Sequence, residues 1–360
     1  MMMFLGSFSR SLKVVTLWCL LNIVGYGGVH ASTAIAYGSF VKSATYSIAN
    51  QLGYFADEGL NVTYHQVPNS SFAYDGLFYG TYDILTGTID NAINLVFNAK
   101  AGLTVLGQLD QGSDIVLAAT SAMATVQDLR GKPIMVDGEL SGYSYVLRRL
   151  LSFYGLQYGT DYSFQIVGGT PFRYQALLHG HLNNGSVVYA TVLTYPYTAY
   201  LAREANTSAS PAPHVLARVS DFVAPFSSQA LTVRTSTVTH TSNPAYRATV
   251  SFVRAMLRAN RLLADPDPQR RAELQGAIAA ELGIEDEATA ALELAAATDA
   301  VTGETAQVDF QVSGVGLWNV IGIRDRFGGF TAAGPGFDFV EALPDLIDYR
   351  VRDAARHGIQ

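Results

Sequence analysis

Residues 53–62 of this 360-residue chain read GYFADEGLNV, and this stretch decides how the chain folds. It joins a predicted helix over residues 44–52 to a predicted strand over residues 60–64. Gly53 supplies the residue with a positive φ angle at which many helices end. Helices and short apolar strands continue to alternate along the chain up to about residue 234. This alternation is typical of α/β proteins whose parallel sheets are covered by helices on both faces.

The composition excludes several classes of protein. With 49% hydrophobic and 15% charged residues, the chain is too apolar and too weakly charged for an intrinsically disordered protein. A net charge of −7 argues against nucleic-acid binding, which needs a basic surface. The single cysteine, Cys19, cannot form a disulfide within the chain. The length is sufficient for two lobes with separate cores.

The first 31 residues have the layout of a signal peptide. Arg10 and Lys13 precede a nearly apolar run over residues 14–24, and small residues surround Ala31. A membrane anchor is disfavoured because the run is shorter than the roughly 20 residues that cross a bilayer. We therefore predict cleavage near Ala31 and a secreted, extracellular protein, which would be periplasmic in a bacterial host. No membrane span is expected after cleavage.

Four Asn-x-Ser/Thr triplets follow the predicted signal peptide and mark candidate glycosylation sites. Their asparagines are Asn61, Asn69, Asn184 and Asn206. A single triplet carries little weight because it is common by chance. Together with a signal peptide, in a chain that would keep no cysteine after cleavage, the triplets favour a secreted glycoprotein.

The stretch at residues 53–62 resembles the GYF-x-x-EGL-x-V signature of solute-binding proteins of the sulfonate/nitrate/taurine type. Those proteins share their fold with the fungal thiamine-pyrimidine synthases. Further stretches resemble the same group in the same order, at residues 77–84, 128–136, 167–180 and 263–266. The whole resemblance covers about residues 34–285.

The resemblance implies a two-lobe, type II periplasmic-binding-protein-like α/β fold, in which each lobe is a mostly parallel sheet flanked by helices. It places lobe 1 at residues 32–119, lobe 2 at residues 120–222, and the second part of lobe 1 with the C-terminal helices at residues 223–360. The chain is expected to cross between the lobes near Ala119 and near Val223. The ligand is expected in the cleft between the lobes, outside the carboxyl ends of the strands, where hinge closure would enclose it.

Candidate ligand contacts are the strand ends and helix starts that would face this cleft. They are Ser39, Phe40, Ser70, Ser71, Thr88, Asp90 and Asn91 in the first lobe and Ser141, Tyr143 and Thr170 in the second. Several of them open predicted helices, where free N–H groups and the helix dipole favour an anion or a polar oxygen. The alternative is that each serine only caps its own helix. For Asp90 two roles stay open, either binding an amine or ring N–H of a ligand or capping a helix.

The chemistry of the related synthases is not expected here. Those enzymes consume a histidine of their own, hold pyridoxal phosphate through a lysine and carry a cysteine-rich iron site. At the corresponding places this chain has Asp90 instead of the histidine and Thr86 instead of the lysine, and no cysteine follows Cys19. We therefore predict no cofactor.

Other catalytic and metal-binding patterns are also incomplete. His179 and His181 have no third metal ligand nearby in the sequence, which favours a solvated turn over a metal site. Ser141 stands one place too late in residues 138–142 for the Gly-x-Ser-x-Gly nucleophile motif. No metal site and no catalytic residue are predicted.

These observations favour a secreted, monomeric, non-catalytic protein that binds a small molecule. In a bacterial host its partner would be a membrane transporter. Two other functions stay open. One is a secreted or secretory-pathway enzyme or auxiliary protein of a specialised-metabolite pathway, built on the same scaffold. The other is a surface or effector protein whose cleft is vestigial.

Overall fold

The structure is a computed structural model that describes residues 32–207, 211–332 and 337–359. The predicted signal peptide, residues 1–31, lies outside the described residues. From Thr33 onwards the chain forms a single structural unit. Within this unit the strands form two separate sheets, each of five strands.

The first sheet has the strand order β2-β1-β3-β10-β4. Its strands are β1 (Thr33–Ser39), β2 (Leu60–Gln66), β3 (Ile84–Thr88), β4 (Leu103–Gln108) and β10 (Gln229–Arg234). The second sheet has the order β7-β6-β8-β5-β9. Its strands are β5 (Val116–Ala119), β6 (Lys132–Val136), β7 (Tyr162–Ile166), β8 (Ala190–Leu193) and β9 (His214–Arg218).

In each sheet one strand runs against the other four. β10 is antiparallel to β3 and β4, and β5 is antiparallel to β8 and β9, whereas the remaining pairs are parallel. β5 and β10 are the first strands after the chain passes from one sheet to the other, so they enter the new sheet from the opposite end. The predicted fold, with two lobes and mostly parallel sheets, is confirmed.

Helices cover both sheets. The first sheet carries α1 (Ala44–Gln51), α2 (Tyr54–Asp57), α3 (Ser70–Phe78) and α4 (Ile89–Ala99), and the second carries α5 (Gly142–Phe153), α6 (Thr170–His179) and α7 (Tyr197–Thr207). The C-terminal third contains α8 (Thr235–Val238), α9 (Pro244–Leu263), α10 (Pro268–Leu282), α11 (Glu287–Ala297), α12 (Gly314–Arg326), α13 (Phe339–Leu346) and α14 (Arg350–His357). Short 3₁₀ turns lie at Val126–Leu129, Val219–Asp221 and Val308–Phe310.

We call the first sheet with its helices the first lobe, and the second sheet with α5–α7 the second lobe. The first passage between the lobes lies in residues 109–115, because β5, which ends at Ala119, already pairs within the second sheet. The expected crossing near Ala119 is therefore displaced by one strand. The return passage lies between β9 and β10, in residues 219–228. α9 packs on α1, whereas α12 contacts α4 of the first lobe and α5 of the second.

The stretch at residues 53–62 owes its importance to one aromatic side chain. Gly53 has a φ angle of 74°, which ends α1 as predicted and turns the chain. Phe55 is thereby directed into the core, where its ring stacks on Phe252 of α9 at 5.0 Å between centroids. Phe252 lies 5.1 Å from the ring of Tyr37 on β1. These contacts attach the long helix α9 to the first sheet.

The start of α3 differs from the sequence prediction. Asn69, and neither Ser70 nor Ser71, is the residue that caps the helix, because its side-chain oxygen accepts a hydrogen bond from the N–H of Phe72 at 3.1 Å. Asparagine is as effective a cap as serine, so the two could not be separated by residue type. Ser141 does cap α5 and accepts from the N–H of Ser144.

No helix in the described part of the chain is long and apolar enough to cross a membrane.

Candidate functional site

A small cavity lies between the lobes, at the carboxyl ends of the parallel strands, and has a volume of about 10 Å³. The first lobe contributes Phe40, Val41, Gly87, Thr88 and Gln229 to its lining, and the second contributes Tyr143, Thr170 and Thr194. We call it the interlobe cavity. Since a water molecule needs at least about 10–15 Å³, the cavity has room for about one water. Anything larger would enter only if the lobes separated.

A second, wider depression of about 570 Å³ lies beside it, and we call it the outer groove. Ser70, Ser71 and Asn91 line it from the first lobe, and Asp137 and Ser141 line it from the second. The predicted contacts thus fall into two groups. Phe40, Thr88, Tyr143 and Thr170 line the interlobe cavity, and Ser70, Ser71, Asn91 and Ser141 line the outer groove.

Hydrogen bonds across the outer groove hold the lobes together. Asp137 follows β6 and accepts hydrogen bonds from Ser70 of the first lobe and, at 2.7 Å, from Ser141 of its own lobe. Asn91 donates to the Ser70 hydroxyl and accepts from the backbone N–H of Gly142, both at 3.1 Å. Asp137 is not among the predicted ligand contacts, although it directly follows a strand.

The lobes also meet through backbone at two glycines. The N–H of Gly169 donates to the carbonyl oxygen of Pro68 at 2.7 Å. A Cβ atom placed on Gly142 would lie only 2.9 Å from the Thr88 hydroxyl oxygen. Cβ atoms in proteins essentially never come within 3.0 Å of such an atom, so only a glycine at position 142 permits this close approach of the lobes.

Two predicted contacts, Ser39 and Asp90, line neither the interlobe cavity nor the outer groove. Ser39 is fully buried, and its hydroxyl donates to the carbonyl oxygen of Val41 at 2.8 Å. Asp90 forms an ion pair with Arg324 of α12, in which Arg324 Nε lies 2.9 Å from Oδ1 and Nη2 contacts Oδ2. The Asp90 carboxylate is therefore used inside the protein, and its observed role is neither of the two that the sequence left open.

The Asp90–Arg324 pair is deeply buried and also touches the second lobe. The side chains of Asp90 and Arg324 are 3% and 1% exposed. Nη2 of Arg324 donates to the carbonyl oxygen of Leu140 at 2.9 Å, and its guanidinium lies 4.1 Å from the ring centroid of Tyr145. Burial alone would lower the pKa of Arg324, but the Asp90 carboxylate outweighs it and the pKa is raised.

The positive ends of two helices near the cavity are occupied by the chain itself. At α1, the two carboxylate oxygens of Glu304 accept from the N–H groups of Ala44 and Thr45, both at 2.7 Å. Burial raises the pKa of Glu304 to about 7, and the hydrogen bonds from Thr45 and Ala44 limit the rise. At α5, the N–H of Gly142 is bound by Asn91. These are the positions at which an anion would otherwise be attracted.

The cation that contacts Thr170 of the cavity lining is also engaged. Arg173 of α6 is fully buried, and burial lowers the pKa of its guanidinium. It donates to the carbonyl oxygens of Gly168 and Val192 and to the hydroxyls of Thr191 and Thr170, at 2.6–3.0 Å. Arg173 therefore supports the wall of the cavity and has little capacity left for a bound anion.

The lining of the interlobe cavity is uncharged and offers hydroxyl, amide and aromatic groups. The Thr88 hydroxyl is buried and has no hydrogen-bond partner among the described residues. Unpaired buried hydroxyls are uncommon and call for a partner such as water or a ligand. Phe40 and Tyr143 face the cavity from opposite lobes, and Gln229 adds an amide.

The predicted glycosylation sites differ in their surroundings. Asn61 is exposed on the edge strand β2, Asn184 is exposed in a turn, and Asn206 is exposed near the end of α7. The last residue of the Asn206 triplet, Ser208, lies outside the described residues. Asn69 is half-buried, and its side chain caps α3 beside the interlobe contact of Pro68. In the described part of the chain, no group of three His, Cys, Asp or Glu side chains could hold a metal ion.

Two lobes that meet at the carboxyl ends of their strands define a protein of the periplasmic-binding-protein fold. The chain belongs to the family described as NMT1/THI5-like, whose sequence model matches residues 41–268. This membership confirms the resemblance that was drawn from residues 53–62 and the stretches that follow.

Solved structures of similar fold include proteins from bacteria and a fungus. The alkanesulfonate-binding protein SsuA from Xanthomonas axonopodis pv. citri, bound to MOPS, has a TM-score of 0.64 and 18% identity, with 88% of this chain and 99% of that chain covered. The periplasmic nitrate-binding protein NrtA from Synechocystis PCC 6803 has a TM-score of 0.65 and 12% identity, with 91% of this chain and 89% of that chain covered. The CA3427 gene product of Candida albicans exhibits the generic periplasmic binding protein fold. It has a TM-score of 0.64 and 15% identity, with 88% of this chain and 96% of that chain covered. No curated protein sequence matches the chain.

Proposed function

We propose that this protein binds one small, uncharged molecule in the interlobe cavity and closes its two lobes around it. The observation that carries the proposal is the lining of the cavity, which combines uncharged polar and aromatic groups from both lobes at the strand ends. Open α/β sheets bind their ligands at this end of the strands. The closure seen here leaves room for about one water, so the lobes must separate for a ligand to enter and must close less tightly around it.

An uncharged ligand is favoured over an anion because the usual means of holding an anion are already in use. Glu304 accepts the hydrogen bonds of the free N–H groups at the start of α1. Arg173 donates its hydrogen bonds to groups in the wall of the cavity. The described lining of the cavity also holds no cation that could balance the charge of an anion. This sets the protein apart from similar folds whose names refer to nitrate and alkanesulfonate.

The Thr88 hydroxyl provides the sharpest test of the site. In Thr88→Val the shape is kept and only an unpartnered hydroxyl is lost, so the stability should change little. If that hydroxyl bonds the ligand, its loss leaves a polar group of the ligand unpaired, and the affinity should fall about five- to a hundredfold. Native mass spectrometry of the protein with its co-purified small molecule measures the occupancy.

Thr232→Val is the matched control for Thr88→Val. The Thr232 hydroxyl is also buried and unpartnered among the described residues, but it lies on β10 and does not line the cavity. The Thr232 variant should retain the co-purified molecule at the wild-type level. Equal occupancy by the small molecule in both variants would show that Thr88 does not bind it.

The proposed binding protein is also secreted and glycosylated. The charge and apolar layout of residues 1–31 and the exposure of Asn61, Asn184 and Asn206 support this. In a bacterial host the bound molecule would pass to a membrane transporter, whereas the exposed glycosylation sites favour sequestration or delivery in a eukaryotic one.

We expect secreted protein from the native host to begin near Ser32 and to lose mass when glycans are removed. Peptide mapping should find glycans at exposed asparagines and none at Asn69, because the Asn69 side chain caps α3 and lies beside the interlobe contact. An intact Met1 in a cytosolic fraction would contradict secretion. A fully occupied Asn69 would contradict its structural role.

A further inference from the structure

A cavity of about 360 Å³ lies where α5, α12 and the return passage between the lobes meet. Arg149 of α5, Arg326 and Trp318 of α12, and Phe222 of the return passage line it. We call it the arginine pocket. It shares no lining residue with the interlobe cavity or the outer groove.

The two arginines of this pocket are close to each other and have no counter-charge in the described part of the chain. Burial and then the charge of Arg326 lower the pKa of Arg149, and no carboxylate acts on Arg149 in the opposite direction. Two residues before Arg326, by contrast, Arg324 forms an ion pair with Asp90. Like charges held side by side are unfavourable unless an anion lies between them.

The walls of the arginine pocket are held in place by packing and hydrogen bonds. The guanidinium of Arg149 lies 4.1 Å from the ring centroid of Phe153, and that ring lies 5.1 Å from the ring of Phe222. Asn319 of α12 donates to the carbonyl oxygen of Pro225 at 2.7 Å, which fixes α12 against the return passage. Trp318 remains 42% exposed at the pocket. A tryptophan beside two unpaired arginines offers both a flat apolar face and positive charge.

We propose that the arginine pocket binds a small aromatic carboxylate, with its anionic group between Arg149 and Arg326 and its ring against Trp318. Carboxylates match the planar, two-pronged donor geometry of arginine, and aromatic rings favour offset or edge contacts with tryptophan. The bound anion joins α5 of the second lobe to α12 and the return passage. This site is independent of the ligand proposed for the interlobe cavity.

Benzoate is the probe, and isothermal titration calorimetry of the full protein is the measurement. Wild-type protein should bind one benzoate per chain with a Kd of about 1 mM or tighter, and the affinity should fall as salt is added. Arg149→Gln and Arg326→Gln should each weaken binding at least tenfold, because each removes a charge-assisted contact. Neutral benzamide should not bind.

Arg247→Gln is the matched control, since Arg247 lies on α9 and has no carboxylate partner among the residues that the structure describes. It should bind benzoate like the wild type. Thermal unfolding checks that the pocket variants are folded, and their midpoints should equal or exceed that of the wild type because a repulsion is removed. Lysine variants at positions 149 and 326 keep the charge and should retain part of the affinity. The absence of saturable binding to the wild type, or unchanged binding in both glutamine variants, would overturn the proposal.

Discussion

Replacing Asp90 by alanine is expected to destabilise the folded protein by about 3–5 kcal/mol, because the substitution leaves the Arg324 charge buried without a partner. Arg324→Met should cost a similar amount, since it leaves the Asp90 carboxylate unpaired. Both side chains are almost completely buried, and Arg324 also bonds Leu140 of the second lobe. The free energy of unfolding, from urea titrations at neutral pH, is the quantity to compare.

The double variant Asp90→Ala/Arg324→Met distinguishes the effect of an unpaired buried charge from the effect of lost packing contacts. It leaves no buried charge, so it should be more stable than the sum of the two single effects predicts. Arg270→Met is the matched control, because Arg270 and Glu273 form an ion pair of 2.7 Å on the surface with both side chains largely exposed. Breaking such a pair should cost about 1 kcal/mol or less. Single variants at Asp90 and Arg324 that behave like Arg270→Met would contradict the structural role.

For Asp90 this expected result differs from both roles that the sequence left open. As a ligand contact, Asp90 would change affinity upon substitution and leave stability nearly untouched. The structure instead predicts a large change in stability, because both carboxylate oxygens bond Arg324. Arg324 lies 234 residues further along the chain. No local sequence pattern at either position predicts this ion pair.

A second large effect is expected from Glu293→Gln, and it should depend on pH. Glu293 of α11 is 1% exposed, and neither carboxylate oxygen has a hydrogen-bond partner in the described part of the structure. Burial, followed by the charges of Asp114 and Glu304, raises the pKa of Glu293 to about 10. The side chain is therefore protonated in the folded protein and ionised in the unfolded chain at neutral pH.

The sign of the pH dependence follows from proton uptake. Between the unfolded pKa of 4.5 and the folded pKa of about 10, the folded state binds more protons than the unfolded state, so stability falls as pH rises. Each pH unit costs about 1.4 kcal/mol, which amounts to about 5 kcal/mol at pH 8 and almost nothing near pH 4.5. Glutamine carries no ionisable group, so the stability of the variant should not show this part of the decline with pH.

Urea unfolding at pH 5, 6.5 and 8 measures the effect. Glu293→Gln should match the wild type closely at pH 5 and exceed its stability by several kcal/mol at pH 8. Burial also raises the pKa of Asp110 to about 6 and that of Glu304 to about 7, so part of the wild-type decline persists in the variant up to about pH 7. Glu273→Gln, at an exposed position, is the control and should follow the wild type. Parallel pH profiles for wild type and Glu293→Gln would show that Glu293 is not a neutral buried acid.

The elements of the fold were predictable because their signals are local. Gly53 ends α1 and Ser141 caps α5 as the sequence indicates, since a positive φ angle and a side-chain cap are properties of single residues. The directions of β5 and β10 were not predictable from the alternation of strands and helices. They depend on the end from which the chain enters each sheet, and hence on both passages between the lobes.

The candidate site was predictable only in part, for a related reason. The rule of strand ends and helix starts selected Thr88, Tyr143 and Thr170, which line the interlobe cavity. The same rule predicted free helix ends, yet Glu304 occupies the start of α1 from 260 residues away in the sequence. Which polar groups stay free depends on such distant partners. The sequence therefore indicated where the cavity lies and did not indicate its lack of charge.

The central claim is that the interlobe cavity encloses one small, uncharged molecule. Native mass spectrometry of protein purified from its own source, followed by release and mass determination of any bound molecule, tests this most directly. The account predicts one molecule per chain, uncharged at neutral pH, whose removal increases the radius of gyration as the lobes separate. A chain that carries no molecule and keeps the same radius under all conditions would contradict the claim and favour a vestigial cleft. A bound anion that Thr88→Val does not displace would contradict the proposed site.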